Sequence, residues 1–160
     1  MARAFEVQGK ARANKPYHYT QCGLDHIYLL NGVARHKTSY GGGVSIYDAE
    51  GLHRAIALNI VSNKAVLNGR ELRFLRKLMD LTQADLALWL GVNVQSVARW
   101  EKGKADMSGP ADRLVRLLYL SSEFTDVKVL DQIRALAELD TDLSVKQKFK
   151  ATEEGWKSAA

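Results

Sequence analysis

Apolar residues recur at helical spacing through the middle of the chain and fall into strand-like groups before it. Leu72, Leu75, Leu78 and Met79 lie three, three and one apart, with Arg70, Arg73, Arg76 and Lys77 among them. That pattern predicts an amphipathic helix opened by Asn68. Thr82 predicts the cap of a second helix, Gln83–Leu90, which Gly91 ends. Asn93 predicts a third, over 94–102, ended by Gly103. Gly109-Pro110 opens a fourth, to about Leu120, with Leu114, Val115, Leu117 and Leu118 as its apolar positions. Residues 127–139 read as a fifth.

Ahead of these helices the pattern changes. Tyr17, Tyr19 and residues 27–30 are β-formers, punctuated by Gly23 and by Asn31-Gly32, a turn signal. Residues 33–40, then Gly41-Gly42-Gly43, then 44–47 predict a hairpin with a flexible glycine tip. Asp48 predicts the cap of a helix over about 49–59, with Leu52, Ala55, Ile56 and Ile60 on one face. Residues 1–15 show no periodicity and read as a flexible basic arm, either gripping DNA or solvated. From Asp140 the chain is polar, with Phe149 and Trp156 isolated in it. The expected fold class is therefore α+β. A small β-rich N-terminal domain (16–66) precedes an all-α helix-turn-helix domain (67–139), and a polar tail (140–160) follows. The tail reads as a partner-binding segment or as a docking on the same chain or a dimer mate.

Composition narrows the function classes. Of 160 residues, 46% are hydrophobic, which is enough for a packed core. No apolar run approaches the ~20 residues of a membrane span, and the first residues lack a secretory apolar stretch, so a cytoplasmic location is expected. Cys22 is the only cysteine and can form no internal disulfide. The formal charge is +5. Residues 1–66 carry net +4, 67–121 net +3 and 122–160 net −2, so positive charge lies on the predicted helices and the segment before them. A basic balance favours nucleic acid as partner.

Residues 82–104 carry the most specific pattern, two short helices around a glycine turn. Leu86, Ala87 and Leu90 suit an inner face, with Val92 and Val97 packing on it. Val94, Gln95, Ala98 and Arg99 are left on the opposite side of the second helix. The major groove admits a helix, Arg pairs best with guanine and Gln with adenine. Gln83, at a helix N-terminus, is placed for a phosphate oxygen. The plain alternative is an ordinary helical hairpin, with Arg99 paired to Glu101 or Asp85 and Gln95 solvated.

This segment resembles the lambda-repressor-like, or XRE, helix-turn-helix family over about residues 67–121. Leu75-Arg76, Leu81-Thr82-Gln83, Leu86-Ala87, Leu90-Gly91-Val92, Val97, Trp100-Glu101 and Gly103 carry the resemblance. It implies an Arg76–Glu101 pair tying the first helix to the end of the third, and phosphate contacts from Gln83 and near Lys102 and Lys104. Glu71-Leu-Arg-Phe-Leu-Arg and Gly109-Pro-Ala-Asp-Arg-Leu-Val-Arg-Leu-Leu further resemble the C-terminal half of the MqsA (YgiT) type antitoxins. That resemblance implies base reading at Gln95 and Arg99. Those antitoxins add a zinc domain built on Cys-x-x-Cys pairs, whereas Cys22-Gly23-Leu24 stands alone here.

Other constellations give less. His18, Cys22 and His26 lie four apart, with His36 beyond, but in strand and turn that spacing does not converge on a metal. Gly41-Gly42-Gly43 lacks the Lys-Ser/Thr of a phosphate loop. No catalytic residue, metal or cofactor is expected, and the chain is not read as an enzyme. The expected function is sequence-specific binding of double-stranded DNA by a transcriptional regulator, a repressor acting as a homodimer on a palindromic operator. The DNA-binding residues expected are Gln83, Val94, Gln95, Ser96, Arg99, Lys102 and Lys104. The alternative is an antitoxin that neutralises a toxin partner and autoregulates its operon.

Overall fold

The computed structural model describes residues 15–124 and 146–159. In chain order its elements are β1 (Tyr17–His18), β2 (Ile27–Leu29), β3 (Val33–Thr38), β4 (Gly41–Ile46), α1 (Ala49–Asn63), α2 (Gly69–Leu78), α3 (Gln83–Leu90), α4 (Val94–Glu101), α5 (Gly109–Glu123), β5 (Gln147–Thr152) and β6 (Gly155–Ala159). They fall into two compact units: Met1–Ile56 with Ser144–Ala160, and Ala57–Leu143. The basic arm up to residue 14 and the predicted fifth helix, 127–139, lie outside the described residues.

The first unit is built on a sheet of order β1-β2-β5-β6. β1 runs antiparallel to β2, with Tyr17 opposite Leu29, and β2 runs parallel to β5, with Leu29 opposite Phe149. Antiparallel β6 completes it, with Trp156 opposite Ala151. The stretch expected to be a polar tail thus supplies two strands. Its residues alternate: Gln147, Phe149 and Ala151 are buried, with half-buried Lys148 and exposed Lys150 between them. That is the signature of a sheet with one covered face. Asn31 extends the pairing with its side chain. Its Oδ1 accepts from Ala151 N at 2.7 Å, and its Nδ2 donates to Ala151 O at 3.2 Å.

Trp156 is not isolated either. Its Nε1 donates to the carbonyls of Tyr47 and Asp48, both at 3.1 Å. Its ring lies so close to Gly32 that a Cβ there would stand 2.4 Å from it, and Gly32 has φ +77°. Both the turn and the ring therefore require glycine. The hairpin forms as expected, but its glycines do not make the tip. Ser39 and Tyr40 turn the chain, and Gly41, Gly42 and Gly43 pair with Thr38, Lys37 and His36 inside β4.

Asp48 caps α1 as the sequence predicts, its Oδ1 accepting from Gly51 N at 3.0 Å. The helix runs past 59, and Leu52, Ile56, Ala57, Ile60 and Val61 are fully buried in it. Ala55 is only half-buried.

Among its described residues the second unit holds the end of α1 and the helices α2 to α5. Its α2 and α3 open with capping boxes on Asn68 and Thr82, and α4 opens on Asn93. Leu72, Leu75, Leu86, Ala87, Val97, Val115 and Tyr119 form its core. Leu78, expected on the apolar face of α2, is exposed, and Phe74 is buried in that helix instead. Two buried ionic groups hold the segment between α1 and α2. Lys64 Nζ donates to both oxygens of Glu71 at 2.7 Å. Arg116 pairs with Asp112 and donates to the carbonyls of Val61, Lys64 and Ala65. Asp112 in turn accepts from Leu67 N at 2.8 Å. These bonds satisfy carbonyls left open where α1 ends.

Candidate nucleic-acid interface

The turn between α3 and α4 is set by local chemistry. Gly91 ends α3 in the left-handed region at φ +65°. Asn93 restarts the chain as α4, its Oδ1 accepting from Gln95 N at 2.8 Å. α4 packs on both α2 and α3. Fully buried Val97 anchors its inner side, while half-buried Leu90 and Val92 line the turn.

Its outer side carries the candidate readers. Gln95 and Arg99 are exposed, and Val94 is 42% exposed. Ser96 is half-buried, and so is Ala98, which the sequence placed with the outward residues. Lys102 and Lys104 are exposed in the turn beyond α4. Gly103, at φ +65°, lets that turn close, with Lys104 N donating to Arg99 O at 2.9 Å.

Glu101 organises this surface from beneath. Its Oε1 accepts from Arg76 Nε at 2.5 Å, and its Oε2 accepts from Arg76 Nη2 at 3.1 Å. This is the pair that the resemblance implied. Arg76 Nη1 also donates to Leu81 O at 2.7 Å. Both side chains are largely buried, at 11% and 4% exposed, so the bidentate pair is shielded from solvent. Glu101 has a further partner that sequence reasoning missed: Gln83 Nε2 donates to its Oε2 at 2.8 Å. A carboxylate accepting from three donors fixes the orientation of Gln83.

The acids once open to Arg99 are thus occupied. Glu101 holds Arg76 and Gln83, and Asp85 closes the α3 capping box, accepting from Thr82 N at 2.9 Å. Hydrogen bonds from Thr82 hold the Asp85 carboxyl below the ordinary carboxylate range. Among the described residues Arg99 makes no ion pair.

Residues 72–109 match the family described as helix-turn-helix. This segment is a helix-turn-helix. The match supports the XRE type and lies within the second unit. No curated protein and no solved structure matches the chain significantly. A helix-turn-helix of this kind suggests a DNA-binding transcription regulator. No described helix is long and apolar enough to cross a membrane.

The histidines and Cys22 serve other ends. His18 Nε2 bonds the Asp25 carbonyl at 2.7 Å and stacks on Tyr28, and His36 Nε2 bonds Ser45 Oγ at 2.7 Å. Cys22 Sγ points to the Tyr19 carbonyl, and burial pushes its thiol up, away from nucleophile chemistry. Among the described residues no cluster of three or more metal-ligating side chains occurs.

Proposed function

We propose that the chain is a transcriptional repressor that binds a palindromic double-stranded operator as a homodimer, one helix-turn-helix to each half-site. One observation carries the reading. α4 turns Gln95 and Arg99 to solvent while Asp85 and Glu101, the acids that would neutralise Arg99, are held by Thr82, Arg76 and Gln83. Arg99, with no ion pair among the described residues and on a helix already fixed from behind, is poised for guanine O6 and N7. Gln95 suits adenine, and Val94 presents methyl groups to a thymine methyl. Gln83, Ser96, Lys102 and Lys104 would set the register on phosphates.

Selection from a random duplex pool should return an inverted repeat with half-sites about one helical turn apart, roughly 34–36 Å. Arg99→Ala should lose about 1–3 kcal/mol of preference for the selected site over mixed-sequence DNA. Retention of that preference would show that Arg99 does not read bases. The antitoxin reading uses the same helix-turn-helix and gives the first unit to a toxin. Co-expression with the product of the neighbouring reading frame tests it, a stable complex being the supporting outcome.

A further inference from the structure

The β3–β4 ribbon is unlike the rest of the first unit. From Arg35 to Ser45 nearly every residue with a described side chain is exposed, on both faces of the ribbon. A two-stranded hairpin without a covered face is marginal in water, and glycine in a strand weakens it further. Yet three consecutive glycines lie in β4. Only Gly41, at φ +127°, has a backbone that demands glycine. A Cβ built on Gly43 meets nothing, and one on Gly42 meets only the His36 carbonyl at 4.0 Å. The protein's own packing does not explain this bare lane.

The charge is as uneven as the shape. No acidic residue lies between Asp25 and Asp48. Arg35 and Lys37 are two apart on β3, so both point to one face. Opposite them across the ribbon stand Val44 and Gly42, which put no carboxylate beside them. Neither cation makes an ion pair among the described residues. Tyr40, at the turn, is 100% exposed. The ribbon is narrow, cationic, stripped of side chains along the first half of β4, and tipped by an amphipathic aromatic.

We propose that the β3–β4 ribbon is a second DNA contact, in which Arg35 and Lys37 bind the phosphate backbone of a duplex without reading its sequence. The proposal rests on the DNA-binding reading above. Strand backbone stripped to glycine permits close approach of a ligand, and a duplex groove admits a two-stranded ribbon. A protein partner fits less well. The centre of a protein interface is depleted in charge, whereas this face sets two exposed cations beside one exposed apolar side chain, Val44, with Val33 and Ile46 half-buried at its base.

The test measures binding of the full chain to mixed-sequence duplex DNA, a few helical turns long, across a range of salt. The R35A/K37A variant should bind about tenfold more weakly at ~0.1 M salt, with the log–log salt slope smaller by about 2. K150A/K157A removes the same charge from the exposed side chains of β5 and β6 and should keep the wild-type slope. Gly42→Glu, at a position where a Cβ meets only the His36 carbonyl at 4.0 Å, sets a carboxylate across from Lys37 and should lower the slope by about 1. Circular dichroism of each variant should match the wild type. An unchanged slope in R35A/K37A overturns the proposal, as a protein-binding ribbon would produce. An equal fall in K150A/K157A also overturns it, because bulk charge then suffices. The ratio of selected-site to mixed-sequence affinity separates the two readings. Arg99→Ala should lower it and R35A/K37A should not, so either reading can fail while the other stands.

Discussion

Glu101 shows how one side chain can bear on both stability and binding. It accepts from Arg76 and from Gln83 within a largely buried pocket. Removing one member of a buried pair leaves the other charged and desolvated. Glu101→Ala should therefore lose about 3 kcal/mol in urea denaturation. It should also weaken binding to all DNA sequences alike, since Gln83 loses its support. Tyr19 and His53 give the first unit a pH dependence. Tyr19 Oη and His53 Nε2 are 2.8 Å apart. Burial lowers the imidazole from its ordinary 6.5 and pushes the phenol up to about 12. The unfolded chain then binds more protons near pH 6.5 and releases more near pH 10. Stability should fall as pH drops below 6.5 and again as pH rises above 10. Melting curves of His53→Gln should show a smaller decline below pH 6.5, and those of Tyr19→Phe a smaller one above pH 10, with the part due to the buried Cys22 thiol remaining.

At the scale of elements, the junction of α2 with α4 sets the pose of the reading helix. Gly69 opens α2 so close to the end of α4 that a Cβ would stand 2.0 Å from the Trp100 carbonyl. Helix propensity alone would favour alanine by about 1 kcal/mol. The clash is with backbone, so it should prevail: Gly69→Ala should lower the melting temperature, at a cost of about 1–3 kcal/mol. The helices were legible in the sequence because their signals are local. Asn68, Thr82, Asn93 and Gly91 act on neighbours within a few residues, and each acts where the pattern placed it. β5 and β6 were not legible. Gln147, Phe149 and Ala151 do alternate, but in a short lysine-rich stretch whose partner, β2, is more than a hundred residues away. Three consecutive glycines read as a flexible tip, yet they pair inside β4, which only the partner strand reveals. At the candidate interface the Arg76–Glu101 pair came through the resemblance alone. The Gln83 link needed coordinates, since no spacing rule joins a helix start to the end of the next helix.

For the whole molecule, the division into units follows sequence only in part. The second unit is one continuous stretch of sequence, Ala57–Leu143, whereas the first unit takes residues from both sides of it. The parallel pairing of Ile27 with Gln147 and Leu29 with Phe149 spans that whole stretch. Such distant contacts form slowly, because a long loop must close before they contribute. A ribosome releases the chain from its N-terminus, and domains generally fold as units while it emerges. The helix-turn-helix is thus complete in synthesis while β2 still lacks a neighbour on one side, until residues 147–149 have been made. An unpaired strand edge is a template for another chain. The clasp of Trp156 over Gly32 accordingly comes late in assembly: the strands made before the helical stretch are completed only after it.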